Sequence, residues 1–292
     1  MSRTRIAFIG IGRMGWHMAA HLAAAGNEVV VADAVAELEE QWLAEHKGSS
    51  AVDLETAVEG AAFVVTSLPA DAQLLAVADQ IIGALDPSAV WIDHSTTSAA
   101  ASREVAARVA AHGAQFLDAP VSGGVDGARN GTLTVMVGGD EAAFELARPI
   151  VEAYAKRYEL MGPSGADQIT KMTNQICVVG LCQALAEGLD FAETAGLDVR
   201  KVIHVMLQGS SASWQMANRA ERMLDGEYDY GFSTTLMRKD IGLVLDEAAA
   251  MNTPLPVTSM VGQFLAEVTA MGGSSWDWCS LMERQRRRRT TD

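Results

Sequence analysis

The chain has 292 residues, a formal net charge of -15, and 49% hydrophobic and 20% charged residues. A length near 300 points to two domains, because single hydrophobic cores stop growing at about that size. The acidic balance argues against nucleic acid and anionic membrane surfaces as partners, and no uninterrupted apolar run reaches the roughly 18 residues of a membrane span.

The first half alternates between two textures. Arg5–Ile9, Glu28–Ala32, Ala62–Leu68, Ala89–Asp93 and Ala114–Leu117 are short apolar runs suited to buried strands. Helical patterns lie among them at Met14–Ala25, Asp71–Ala84 and Ser98–His112. Such alternation predicts an α/β fold, a doubly wound parallel sheet covered on both faces. A further strand over Thr132–Val137 and a helix over Glu141–Tyr154 follow. After Pro163-Ser164-Gly165 the texture changes. Ala166 to about Ala195 has helical periodicity and no proline, and Gly196 stops it. The remainder reads as helices. These patterns predict residues 1–163 as one domain and 164–292 as an all-α domain entered by a long helix. Arg284–Arg289 holds five arginines in six residues. Against the acidic whole it reads as a solvated end, disordered from about residue 284, rather than a nucleic-acid or targeting tail.

Cys177, Cys182 and Cys279 lack the paired spacing of a metal or redox motif. So sparse and odd a set fits buried small hydrophobes in a reducing compartment. The apolar start is interrupted at once by glycines, so it reads as the first strand of a cytoplasmic protein rather than a signal peptide.

Gly10-Ile11-Gly12-Arg13-Met14-Gly15 fits G-x-G-x-x-G, directly after a predicted strand and at the start of a predicted helix. Gly10 permits the tight turn, Gly12 lets the backbone approach a pyrophosphate, and Gly15 lets helix and strand pack closely. The helix N-terminus faces the phosphates with free N–H groups. Asp33 ends the second strand, where a carboxylate accepts from a ribose 2′-OH and repels a 2′-phosphate. Ala34 follows, so no arginine takes the next position; the pattern prefers NAD over NADP. His17 and His21 are spaced i, i+4 without a third ligand nearby, so they read as helix-surface or packing residues and no metal site is expected.

Taken together, these residues resemble the β-hydroxyacid dehydrogenases, the family of 3-hydroxyisobutyrate dehydrogenase and tartronate semialdehyde reductase. The resemblance runs to about residue 282 and is carried by several motifs in order: Phe8 through Gly15 with Met18, Ser67-Leu68-Pro69, Ile92-Asp93-His94-Ser95-Thr96, Asp118 through Gly124, Gly165 through Gln175, and Met237-Arg238-Lys239-Asp240. It departs at His21, which replaces an amide residue common in the family.

The resemblance implies that Leu68 and Pro69 lie against the cofactor, that Thr96 contacts NAD and that Lys239 reaches it. It implies that Ser122, Gly123 and Gly124 bind substrate, and that Lys171 is the general acid/base. A neutral lysine amine can take the alcohol proton and the ammonium can return it, and burial favours the neutral form. Asn174 and Gln175 follow at i+3 and i+4 on the same helical face. Either could hold the substrate hydroxyl or carboxylate, and the resemblance points to Asn174 first. Ser122 with the slim Gly123-Gly124 backbone makes a carboxylate cradle, and the same residues also suit an ordinary turn. Trp214 reads either as a wall of the substrate pocket or as core packing.

The implied activity is reversible hydride transfer between NAD and a small 3-hydroxy acid such as 3-hydroxyisobutyrate, serine or glycerate, giving a semialdehyde. The implied partner is that small carboxylic acid, with assembly into a homodimer or homotetramer. Two alternatives are an imine reductase-like enzyme, against which Lys171 and Asp33 argue, and a non-catalytic dinucleotide-binding regulator, which only the arginine-rich end encourages.

Overall fold

The computed structural model describes residues 3–51 and 53–290. They form two compact units that divide between Lys171 and Met172.

The first unit runs in chain order through β1 (Arg5–Ile9), α1 (Gly15–Ala24), β2 (Glu28–Ala32), α2 (Ala36–Glu45), β3 (Ser49–Ser50), α3 (Leu54–Val58), β4 (Phe63–Thr66), α4 (Asp71–Ile81) and β5 (Val90–Asp93). It continues with α5 (Ala99–His112), β6 (Gln115–Asp118), β7 (Val121–Ser122), α6 (Gly124–Arg129), β8 (Leu133–Gly139), α7 (Glu141–Val151), β9 (Ala155–Gly162) and the start of α8 (Ala166–Thr194). The strand order is β3-β2-β1-β4-β5-β6-β8-β7, with β9 also paired to β8. Strands β1 to β6 pair in parallel, as expected for β1, β2, β4, β5 and β6 from their continuous apolar runs; the short β3 is not among the expected strands. The far end departs from that expectation, because β8 runs antiparallel to both β6 and β7.

Side chains along each strand alternate between two cores. Ile6, Phe8, Val29 and Val31 join α1, α2 and α7 on one face, and Ala7, Ile9, Val30 and Ala32 join α3, α4 and α5 on the other. Short polar side chains start the helices where the chain turns back from the sheet. Ser98 Oγ accepts from Ala101 N before α5, and Asp140 accepts from Ala142 N and Ala143 N before α7. Strand β9 is absent from the sequence reading because Lys156, Arg157 and Glu159 break its apolar alternation; these are solvent-facing positions.

The second unit is helical. It holds the rest of α8, then α9 (Val199–Met206), α10 (Trp214–Asp225), α11 (Thr234–Ala250), α12 (Pro256–Ala270) and α13 (Leu281–Thr290). From α8, Val179, Cys182, Leu185, Ala186 and Leu189 form the i, i+3, i+4 stripe that packs into its core. Asp277 is fully buried, receives Phe232 N at 2.9 Å and pairs with Arg219 at 2.6 Å. The Arg219 guanidinium lies 5.4–5.6 Å from the rings of Trp214, Tyr230 and Trp278.

Among the described residues α8 alone is long and apolar enough, by length and composition, to cross a membrane, and half of its most apolar stretch is buried inside the protein. Counting uninterrupted apolar runs does not reveal it, since Gln175, Gln183 and Asp190 interrupt the run. All three are buried within the fold, as in a core helix.

The arginine-rich end corrects the sequence reading. It is helical as α13 rather than disordered from residue 284. Arg284 and Arg288 each lie 2.9 Å from Glu267, and Arg286 grips Glu193 through two nitrogens while donating to Leu224 O at 3.0 Å. Acidic partners supplied by α8 and α12 satisfy charges that look repulsive in sequence. The Arg289 side chain and residues 291 and 292 lie outside the described residues. Arg286→Ala should cost about 1–2 kcal/mol through loss of these charge-assisted bonds. A thermal melt should show the transition of the helical unit lowered by a few degrees, and an unchanged midpoint would refute the role.

Candidate active site

The glycine turn joins β1 to α1. Gly10 has φ +91°, and a side chain there would run into the carbonyl of Ser67; one at Gly15 would run into the Gly10 carbonyl. Gly12 differs. Its backbone makes no left-handed demand, and a Cβ there would meet nothing within 4 Å. Helix α1 begins with no side-chain cap and no acidic residue in its first turn. A slim backbone beside open space, at an uncapped helix N-terminus, fits the phosphates of a dinucleotide.

Asp33 Oδ2 accepts from Ile11 N at 2.8 Å and Oδ1 from Val35 N at 3.0 Å, so the carboxylate pins the second strand end to the glycine turn. Asp33 N in turn donates to Glu39 Oε1 at 2.7 Å, which brings in a second carboxylate that sequence reasoning missed. The only signal for it was an acidic helix start six residues on.

The next two loops are tied together. Leu68 N, after β4, donates to Ser95 Oγ at 2.8 Å; Ser95 Oγ donates to Asp93 Oδ1 at 2.5 Å, which also accepts from Thr66 Oγ1 at 2.6 Å. Pro69 and Thr96 follow directly on this chain of bonds. Gln168, in the first turn of α8, clamps the Ser95–Thr97 loop: its Nε2 donates to Ser95 O at 3.0 Å and its Oε1 accepts from Thr97 N at 3.2 Å. Sequence reasoning missed Gln168. The available signal was a polar pair, Asp167-Gln168, opening an otherwise apolar helix.

Lys171 stands one turn further on, 8% exposed, and its Nζ donates to Val121 O at 3.0 Å. The structure therefore brings Lys171 against the Val121-Ser122-Gly123-Gly124 segment within one unit. Gly123 and Gly124 have φ of +124° and +63°, so the reversal from β7 into α6 itself requires glycine.

In the helical unit a second group of the expected residues clusters. Asn174 Nδ2 donates to Gln175 Oε1 at 3.0 Å, Gln175 Nε2 donates to Asp240 Oδ2 at 2.6 Å, and Lys239 Nζ lies 2.9 Å from Asp240 Oδ1. Gln175 and Asp240 are buried, so Gln175 holds its neighbour Asn174. Trp214 is 59% exposed and is not core packing. His21 Nε2 lies 3.0 and 3.1 Å from the carbonyls of Ala128 and Arg129, so that nitrogen carries a proton and links α1 to α6.

Burial perturbs the groups beneath these loops. His94 Nδ1 lies 2.7 Å from Ala119 O and Nε2 2.7 Å from the Tyr154 hydroxyl. The carbonyl can only accept, so Nδ1 is protonated and Nε2 accepts from Tyr154. Desolvation pushes His94 down to about 4. It pushes Asp93 up to about 6, against the bonds from Ser95 and Thr66 and with help from the Asp118 charge.

Two sequence-family models cover the chain. Residues 5–162 match the NAD binding domain of 6-phosphogluconate dehydrogenase. Residues 165–284 match the NAD-binding domain of NADP-dependent 3-hydroxyisobutyrate dehydrogenase. The chain is 34% identical to 2-hydroxy-3-oxopropionate reductase of Escherichia coli, over 96% of each chain. It is also 34% identical to the NAD-dependent L-serine dehydrogenase of Pseudomonas aeruginosa, over 88% of this chain and 89% of that one. The solved structure of Mycobacterium tuberculosis 3-hydroxyisobutyrate dehydrogenase with L-serine superposes with a TM-score of 0.89 at 32% identity, covering 97% of this chain and 99% of that one. The class is that of two-domain, nicotinamide-dinucleotide oxidoreductases. Within it the chain belongs to the β-hydroxyacid dehydrogenase family.

The two perturbed groups make opposite contributions to acid stability. Between pH 6.5 and about 4 the unfolded chain protonates His94 while the folded chain does not, so acidification removes stability. Between about 6 and 3.8 the folded chain protonates Asp93 first, so acidification adds stability. Each effect is on the order of 3 kcal/mol at about 1.4 kcal/mol per pH unit. Asp93→Asn should leave the His94 effect unopposed, and its melting temperature should fall more steeply than wild type from pH 6.5 to 4. Parallel profiles would contradict the assignment.

Proposed function

We propose that the protein interconverts a small 3-hydroxy acid and its semialdehyde, with NAD as the redox partner and Lys171 as general acid/base. The observation that carries this reading is the buried Lys171 amine 3.0 Å from the Val121 carbonyl, next to Ser122-Gly123-Gly124. An amine and a carboxylate cradle side by side suit a molecule that carries a hydroxyl near an acid group. The named relatives, which reduce 2-hydroxy-3-oxopropionate or dehydrogenate L-serine, act on molecules of that kind.

The bound nicotinamide supplies or accepts the hydride. The chain does the rest. Gly10 through Gly15 and the N-terminus of α1 would hold the phosphates, and Leu68, Pro69 and Thr96 would border the cofactor. Lys239 would add its positive charge there. The Ser122 hydroxyl and the N–H groups of Gly123 and Gly124 would receive the substrate carboxylate. In oxidation Lys171, as the neutral amine, takes the hydroxyl proton; in reduction its ammonium returns one to the forming alkoxide. The Val121 carbonyl fixes the direction of the amine. Asn174, held by Gln175, would hydrogen-bond the substrate, and Trp214 would wall its pocket.

NAD is favoured over NADP by charge. Asp33 with Glu39 beside it places two carboxylates at the strand end where a 2′-phosphate would have to sit. A panel of 3-hydroxy acids assayed with both cofactors should give faster reduction of NAD. Lys171→Ala should lower kcat by roughly 100- to 10,000-fold. Wild-type turnover by the alanine variant would sink the mechanism.

We also propose a homo-oligomer built on α8. Cys177, Leu181, Ala184, Gly188 and Phe191 form a continuous exposed row on that helix, with Leu181 47% and Phe191 76% exposed. A second copy is the occupant that would bury this row. Light scattering should report a dimer or larger for wild type and a shift toward monomer for Leu181→Glu/Phe191→Glu; a monomeric wild type would overturn the proposal.

A further inference from the structure

Three buried carboxyls lie at or beside the strand ends of the first unit, and the chemistry proposed above uses none of them. Thr66, Asp93 and Asp118 are in register across β4, β5 and β6, and Asp118 faces Gly138 across the antiparallel β6–β8 pair. Asp167, in the first turn of α8, points into the same place. A side chain at Gly138 would collide with Asp167 Oδ1 and come within 3.0 and 3.1 Å of the two Asp118 oxygens. Asp118 and Asp167 are both 0% exposed.

Asp118 Oδ2 accepts from Gly165 N at 2.6 Å, the backbone group just before α8. Among the described residues Asp118 Oδ1 and both Asp167 oxygens lack a well-formed hydrogen bond from an N–H, and the nearby backbone N–H groups of Gln168 and Asp167 only partly oppose the rise in the Asp167 pKa. Two full negative charges so close in a dry interior would repel strongly, while one proton between them supplies the missing donor. Burial, the hydrogen bond to Asp118 and the Asp118 charge together push Asp167 up to about 11. The surrounding charges are few. Asp93 adds negative potential from β5, the Arg103 guanidinium from α5 lies over Gly165, and Lys171 stands one turn along α8.

We propose that Asp118 and Asp167 share one proton and, as a single hydrogen-bonded anion, clamp the first turn of α8, so that both are positioning residues for Lys171. The inference rests on the reading of Lys171 as the acid/base group. Asp167 is four residues before Lys171, on the same helical face. Gly165, Asp167 and Gln168 thus fasten three successive points of the helix start to β6 and to the Ser95–Thr97 loop. The single negative charge also lies at the helix N-terminus, where the dipole favours it. With the clamp intact the Lys171 amine is delivered to the Val121 carbonyl; without it the first turn frays and the amine loses its fixed position.

The test uses the full-length protein. Asp167→Asn keeps an N–H donor toward the Asp118 carboxylate and the same net charge, whereas Asp167→Ala removes the donor. Well below the melting temperature, Asp167→Ala should lower kcat about tenfold or more while leaving the KM for NAD unchanged. Its primary deuterium isotope effect with a C–H deuterated substrate should rise, because the chemical step has slowed. Asp167→Asn should stay within about threefold of wild type. A role in fold stability alone would reduce the amount of active enzyme without moving the isotope effect.

Two measurements need no turnover. Amide exchange over residues 163–172 should accelerate in Asp167→Ala and in Gly138→Ala but not in Asp167→Asn. A protonated-carboxyl band in the infrared spectrum at pH 8 should be present in wild type and lost in Asp167→Asn. Unchanged exchange with unchanged kcat in Asp167→Ala, or an asparagine variant as impaired as the alanine one, would overturn the clamp. If wild type turned over no 3-hydroxy acid, the proposed function would fall, and exchange and infrared would still decide the clamp.

Discussion

The burial of polar groups at the carboxyl ends of β5 and β6 is the constraint on which the first unit depends. Parallel strands deliver their ends to one edge of the sheet, and here those ends carry Asp93, His94 and Asp118, all nearly or fully buried. Each must find partners inside the protein, since a buried polar group without one costs about 1–3 kcal/mol or more. The partners come from the loops that follow the strands and from the start of α8. Ser95 bonds Asp93 and Leu68, Gln168 bonds the Ser95–Thr97 loop, and Asp118 bonds Gly165. The need to satisfy these groups ties together the loops and the helix on which the proposed chemistry rests.

Glycine serves the site in two physically different ways. Gly10, Gly123 and Gly124 have positive φ and are demanded by the backbone, whatever else binds nearby. Gly12 is demanded by nothing in the chain, and the space beside it is open. That contrast separates turn-making glycines from one that leaves room for another molecule. Arg284, Arg286 and Arg288 of α13 are structural, held by Glu193 and Glu267.

The long helix α8 has several tasks along its length. Its first turn is anchored to the sheet, Lys171 follows, then Asn174 and Gln175, then the apolar stripe that packs the helical unit. Gly180 and Gly188 lie inside it, and at Gly188 a side chain would meet nothing within 4 Å. Helix propensity alone does not favour such residues over 29 positions. Tertiary burial of one face, with fixed polar groups at the start, outweighs the local penalty.

Period and composition determined much of this protein. Apolar runs marked β1, β2, β4, β5 and β6, the glycine turn stood where a strand meets a helix, and the absence of proline after Gly165 marked α8. Those signals are local, so they survive in a linear reading. The ordered motifs likewise point to Lys171, Ser122 and Asp33 as residues of the proposed chemistry. The short elements α2, β3, α3, β7 and α6 and the edge strand β9 were not legible, because their residues carry weak or broken periodicity and are held by neighbours distant in sequence. Only the tertiary structure decided that Gln168 grips Ser95, that Glu39 stands beside Asp33, that Asp118 and Asp167 meet over Gly138, and that Arg284, Arg286 and Arg288 find acidic partners. Hydrogen bonds and ion pairs between residues far apart in the chain leave no periodic trace in sequence, since what selects them is the shared burial that folding creates.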